Sequence, residues 1–109
     1  MKICIPMEGT TVSQHFGHTP EFLILTVQDG KITDRETFKS PGHEPGLLPK
    51  MMAEFGITHV IAGGMGRRAQ EMFEERKIRV YSGVSGSTDE AARLLIEGKL
   101  TSGENLCDH

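Results

Sequence analysis

The chain has 109 residues and a mass of 12.0 kDa, room for one domain spanning 1–109 and no second. A domain of this size hides roughly two-thirds of its unfolded surface, enough for one core. The net charge of −3 and pI near 5.9 argue against general nucleic-acid binding, which needs a basic face. No apolar run is long enough to span a bilayer, and Met1-Lys2-Ile3-Cys4-Ile5-Pro6 is too short and too soon broken for a signal peptide, which points to the cytoplasm. Two cysteines, Cys4 and Cys107, are too few for a disulfide scaffold, and no C-x-x-C pair suggests a closed zinc site.

In chain order, Lys2-Ile3-Cys4-Ile5-Pro6 reads as a first strand halted by proline. Residues 7–20 read as a 14-residue polar loop. Residues 21–27 are apolar and β-favouring, a second strand. Asp29-Gly30 then forms a hairpin turn into a third strand, whose apolar–polar alternation over 32–38 predicts half burial. Residues 39–46 carry two prolines and two glycines and form a loop. Pro49 suits the first turn of a helix with Leu47, Leu48, Met51, Met52 and Phe55 on its apolar side, ended by Gly56. A short buried strand follows over 58–62, then the turn Gly63-Gly64-Met65-Gly66. A helix over 67–77 turns Ala69, Met72 and Phe73 inward, and a strand over 78–81 leads to the turn Gly83-Val84-Ser85-Gly86. Ser87-x-x-Glu90 is a capping box opening a last helix, with Ala91, Leu94 and Leu95 inward and Gly98 as its stop. A tail from about 101 is expected to be mobile.

The order β-β-β-α-β-α-β-α alternates strictly in its second half, which demands parallel strands with right-handed crossovers. Short links in the first half demand an antiparallel meander. The expected fold is a three-layer α/β/α sandwich on a five-stranded mixed sheet whose second strand is antiparallel.

This topology gathers the loops 7–20, 39–46, 63–66 and 82–86 on the carboxyl edge of the sheet, where ligands of open α/β folds bind. That edge carries His15, His18 and His43, with Met7, Met65, Arg67 and Arg68. Gln14-His15-Phe16-Gly17-His18 places two imidazoles three residues apart, a source of nitrogen ligands or of solvated loop histidines around a buried Phe16. Gly64-x-Gly66-x-x-Ala69 follows a strand and opens a helix, as in a dinucleotide fingerprint, but Tyr81-Ser82-Gly83 stands where the ribose-binding acid belongs. The glycines serve close packing; whether they also admit a ligand stays open. Arg67 and Arg68 oppose the helix dipole, which a bound anion would reverse and solvent would screen. Mid-strand Cys4 reads as inert and His59 as structural. In the tail, Cys107 and His109 could bind a soft metal. The candidate cofactor-binding positions are thus His15, Gly17, His18, Gly63, Gly64, Met65, Gly66, Arg67 and Gly83, and the candidate metal ligands His15, His18, Cys107 and His109.

Val12-Ser13-Gln14-His15-Phe16-Gly17-His18, Phe22-x-Ile24, Val60-Ile61-Ala62-Gly63-Gly64-Met65-Gly66, Val80-Tyr81-Ser82-Gly83 and Gly98-Lys99-Leu100 together resemble the dinitrogenase iron–molybdenum cofactor biosynthesis family, the group of small NifX-like and NifB-C-terminal-like proteins. The resemblance covers essentially the whole chain. It implies an RNase H-like fold and non-catalytic binding or carriage of an iron–sulfur or molybdenum-containing cluster, with cluster-donor or cluster-acceptor proteins as partners. Some relatives similarly hold a molybdenum–copper sulfide cluster. The radical-enzyme C-x3-C-x2-C motif is absent, so no cofactor-building chemistry is implied. Outside the resemblance, the glycine turns allow a phosphate- or nucleotide-binding module, and a ligand-free protein adaptor is a third reading. An RNase H-like nuclease needs carboxylates on its central strands, and neither Lys2-Ile3-Cys4-Ile5 nor Thr58-His59-Val60-Ile61-Ala62 has one.

Overall fold

A computed structural model describes residues 1–40 and 46–103. The elements are β1 (Lys2–Glu8), β2 (Thr11–Val12), a 3-10 turn (Phe16–His18), β3 (Glu21–Gln28), β4 (Lys31–Lys39), α1 (Leu47–Glu54), β5 (His59–Ile61), α2 (Arg67–Glu75), β6 (Arg79–Tyr81) and α3 (Thr88–Ile96). The sheet runs β4-β3-β1-β5-β6, with β2 paired to the end of β1. β1, β5 and β6 are parallel, while β3 is antiparallel to both its neighbours. Among the described residues no helix is long and apolar enough to cross a membrane.

Alternation along the central strands builds two cores. Ile3, Ile5, Leu23, Leu25 and Ile61 join Ala91, Ala92 and Leu95 of α3 on one face. Cys4, Phe22, Ile24 and Val60 join Leu48 and Met52 of α1 and Phe73 of α2 on the other. A strand's period of two sends its odd and even residues to opposite faces, so a sheet apolar on both must be covered on both. The layering and strand directions are those expected from the element order.

Several features differ from that expectation. The sheet has six strands, not five. The sixth is β2, which folds back on β1 through the Gly9–Thr10 turn, so residues 7–20 contain a hairpin and a helical turn rather than one long loop. Pro6 does not halt the first strand; β1 continues to Glu8. The Pro6 carbonyl accepts from the Ser13 N–H at 2.8 Å, and that of Lys2 from the Thr58 N–H at 2.8 Å. Even-numbered residues of β1 thus turn their backbone groups away from β3. β5 pairs only with Ile3 and Cys4, so the N–H that proline lacks falls beyond the end of β5 and interrupts no ladder.

The others concern burial and helix length. β4 is an edge strand, exposed along both faces except at Phe38, and α3 meets it through the exposed Arg35–Asp89 ion pair at 2.9 Å. Its Lys31, Asp34, Arg35, Glu36 and Lys39 discourage pairing with another chain. At the C-terminal end of α1, the capping residue Phe55 is 42% exposed and lies edge-on to Phe38 instead of joining the core. In α2, Phe73 is fully buried while Ala69 and Met72 are half-buried. That helix stops at Glu75, before the expected residue 77, because Lys77 takes a left-handed φ of 62° and the Ile78 N–H closes back on the Phe73 carbonyl at 3.0 Å.

The capping of α3 is half of what the sequence suggests. Ser87 Oγ accepts from the Glu90 N–H at 3.3 Å. The Glu90 carboxylate does not return to the Ser87 amide; it pairs with Arg93, which also holds Glu97 at 2.8 Å. Hydrogen bonding to Arg93, and then its charge, hold the Glu90 carboxyl below the usual carboxylate range. Ser87→Ala should therefore destabilise by about 1 kcal/mol in urea unfolding. Glu90→Ala should cost clearly less, because an exposed ion pair is screened. Equal losses would mean that the carboxylate caps the helix after all.

Candidate functional site

The site is assembled from two motifs that lie about fifty residues apart in sequence and are hydrogen-bonded to each other in space. Where β2 ends, Ser13 and Gln14 run beside the turn that leaves β5. The Gly63 N–H donates to the Ser13 carbonyl at 3.2 Å, the Gly64 N–H to the Gln14 carbonyl at 3.0 Å, and the Phe16 N–H to the Gly64 carbonyl at 3.0 Å. On the other side, the Gly83 N–H donates to the Gly63 carbonyl at 2.7 Å. The strands have ended here, yet the backbones stay in register like a short extension of the sheet.

Gly63 makes this approach possible. A Cβ there would lie 2.6 Å from the Ser13 carbonyl oxygen and 2.8 Å from Gln14 Cα. Both are backbone atoms that cannot move aside. Gly83 serves differently: its φ of 72° lies in the left-handed region that side chains avoid. Beyond it the chain end returns, with the Gly103 N–H on the Ser82 carbonyl at 2.8 Å.

Phe16 anchors the histidine segment. It is buried and meets Phe22 and Phe73 edge-to-face, with ring centroids 6.0 and 5.6 Å away. The 3-10 turn over Phe16, Gly17 and His18 is closed by the His18 N–H on the His15 carbonyl at 3.0 Å. The anchored ring leaves His15 and His18 exposed on either side. Ser13, buried beneath them, exchanges hydrogen bonds with the His15 backbone at 3.3 and 3.4 Å.

The remaining candidates divide. Gly66 opens α2, whose first turn has no side-chain cap and no acidic residue. Arg67 and Arg68 are exposed there. Met65 is buried in the core on the α1–α2 face. Cys4 is fully buried, and burial pushes its thiol far above its ordinary range, which keeps it protonated and inert. His43, Cys107 and His109 lie outside the described residues. Among the described residues, no three His, Cys, Asp or Glu side chains converge as a metal cage. The Gly63 and Gly64 amides, candidates for holding a ligand, are spent on Ser13 and Gln14.

Ser13 and Gln14 stand in the histidine motif but are not among its candidate ligands, and buried Thr19, which donates to the Glu21 carbonyl at 2.9 Å, lies just beyond it.

The family model for the dinitrogenase iron–molybdenum cofactor matches residues 1–98. The chain belongs to this family. An uncharacterized protein of Methanocaldococcus jannaschii, MJ0580, is 31% identical over 105 residues, covering 92% of this chain and 89% of the relative. The solved structure of PH0822 superposes with a TM-score of 0.85 at 32% identity, covering 94% of each chain. The solution structure of a candidate NifB protein from Thermotoga superposes at 0.71 and 25% identity, covering 99% of this chain and 95% of its own. Family members are linked by name to the iron–molybdenum cofactor, and the resemblance read from the histidine loop and glycine turn is that family's.

Two measurements follow from this geometry. Gly63→Ala should destabilise by about 1–3 kcal/mol, the usual range for overpacking, because the clashing atoms are backbone. A melting curve like that of wild type would show that the two segments can separate freely.

The second concerns His59, at the opposite end of β5. Its ring stacks on Tyr81 with centroids 6.4 Å apart, and its Nδ1 lies 2.7 Å from Thr58 Oγ1. Burial, then the charges of Arg79 and the amino terminus, lower its pKa from 6.5. The unfolded chain therefore takes up this proton first as pH falls. The stability tied to neutral His59 is present above pH 6.5 and is lost on acidification. The wild-type melting temperature should fall more between pH 7.5 and pH 5 than that of His59→Gln, to about the pH range set by an ordinary imidazole. Parallel profiles would exclude the effect.

Proposed function

We propose that this protein is a non-catalytic carrier of a metal–sulfur cluster of the iron–sulfur or iron–molybdenum type, or of a precursor to one. The cluster is cargo docked on the carboxyl edge of an RNase H-like sheet. One observation carries the reading: the histidine loop and the glycine turn are one hydrogen-bonded unit, with His15 and His18 exposed beside the uncapped start of α2. Imidazole nitrogens suit iron and other transition metals, and a helix N-terminus suits the negative charge of bound sulfides. Arg67 and Arg68 add positive charge at the same place. Membership of the cofactor family supports the cargo's identity.

Two imidazoles are a sparse ligand set. A cluster held by few metal–ligand bonds is released easily, which suits delivery between a donor and an acceptor protein better than permanent residence. Cys107 and His109 are the second candidate source of ligands. Cytoplasmic location fits an oxygen-sensitive cargo. The alternative of a phosphate or nucleotide module is weakened, because the Gly63 and Gly64 amides that would cradle phosphate bond the neighbouring segment instead.

The test is anaerobic reconstitution with iron and sulfide, or with thiomolybdate, followed by visible absorption. Wild type should develop a cluster spectrum. His15→Ala combined with His18→Ala should abolish it, with stability changed by no more than about 0.5 kcal/mol, as for exposed positions. If that double variant reconstitutes fully, the loop is not the ligand source, and Cys107→Ser with His109→Ala becomes the deciding variant. No spectrum in any form, together with a thermal shift by a nucleotide, would favour the alternative.

A further inference from the structure

The Gln14 side chain is exposed overall, yet it lies folded between loops. Its Nε2 donates to the Val12 carbonyl at 3.2 Å and to the Val84 carbonyl at 3.2 Å. The Gln14 backbone carbonyl accepts from the Gly64 N–H at 3.0 Å. One residue thus touches three segments: the end of β2, the turn after β5 and the loop after β6. It provides a side-chain hydrogen bond between the histidine segment and the loop after β6.

Because both partners are carbonyls, only the nitrogen end of the amide can face them. A primary amide carries two N–H donors on one neutral planar atom. Glutamate of the same length is acceptor-only when ionised and would set negative charge against two carbonyl oxygens. Leucine has the size but no donor. Asparagine is one methylene shorter. Val12 and Val84 are buried residues, and a buried carbonyl that loses its donor is costly. Gly63 completes the fit, since a Cβ there would lie 2.6 Å from Gln14 Nε2. The glycine leaves the space through which this side chain passes.

We propose that Gln14 is a positioning residue of the site: by bonding Val12 and Val84 it fixes the backbone from which His15 projects and pre-organises the two imidazoles for metal. The link to metal rests on the carrier reading above; the fixing of the loop does not. Residues that orient ligands without touching metal matter at metal sites because they remove the freedom that binding would otherwise have to suppress.

The test uses full-length protein, with Ni2+ alone as the probe, and Gln14→Glu and Gln14→Leu as variants. Backbone 15N heteronuclear NOEs at His15 and His18 should drop in both variants, while those of β1 and β3 stay at wild-type values. Ni2+ affinity by calorimetry should fall about 10–100-fold, the usual loss when a ligand's support is removed. Unchanged NOEs at the loop would overturn the proposal, as would loosening spread over the whole sheet, which marks a general structural role. Reduced NOEs with unchanged Ni2+ affinity would overturn the pre-organisation of the imidazoles. If wild type does not bind Ni2+, the histidines fail as ligands, and the NOEs still decide whether Gln14 fixes the loop.

Discussion

The carboxyl edge of this molecule depends on one close approach, that of the Gly63 backbone to Ser13 and Gln14. With no Cβ in the way, two segments from opposite halves of the chain exchange backbone hydrogen bonds beyond the point where their strands have ended. This contact holds the histidine segment against the sheet and leaves room for the Gln14 amide. It also directs the Gly63 and Gly64 amides to protein carbonyls and not to a ligand. A glycine turn at a strand's carboxyl end is often read as a cradle for an anion. Here its first two residues serve as the joint on which the candidate site is built.

The joint is rigid because of what lies beneath it. Phe16 closes the core on the α1–α2 face against Phe22 and Phe73, so the loop carrying both histidines is tied to the interior by its own central aromatic. Polar groups project from a segment whose apolar residue is committed to packing. The opposite face, under α3, is filled from the alternate residues of the same strands. Pro6 sits in the central strand between these layers because its missing donor points past the end of β5.

At this edge His15, His18, Arg67 and Arg68 are exposed beside a helix start that has no side-chain cap. Cys4 is buried and its thiol protonated, which withdraws it from chemistry at this edge.

The sequence alone settled what local chemistry settles. Strand and helix periods fixed the order of elements, the mixed sheet and its helices on both faces. Asp29-Gly30, Gly56 and Gly98 marked turns and stops by their left-handed φ angles, as those residue types allow. The pairing of the His15–His18 segment with the Gly63–Gly66 turn followed from topology, since both leave strands at one edge. Tertiary structure decided the rest. The continuation of β1 through Pro6 depends on how far β5 extends. The exposure of Ile32 and Phe55 depends on what lies over the edge strand β4. The Glu90 carboxylate chose Arg93 over its own helix cap. The two protons of Gln14 found carbonyls at positions 12 and 84, of which the second is set only when the whole chain has folded. A residue's own type dictates which partners it can accept, but which partner arrives is a property of distant segments, and no local pattern records it.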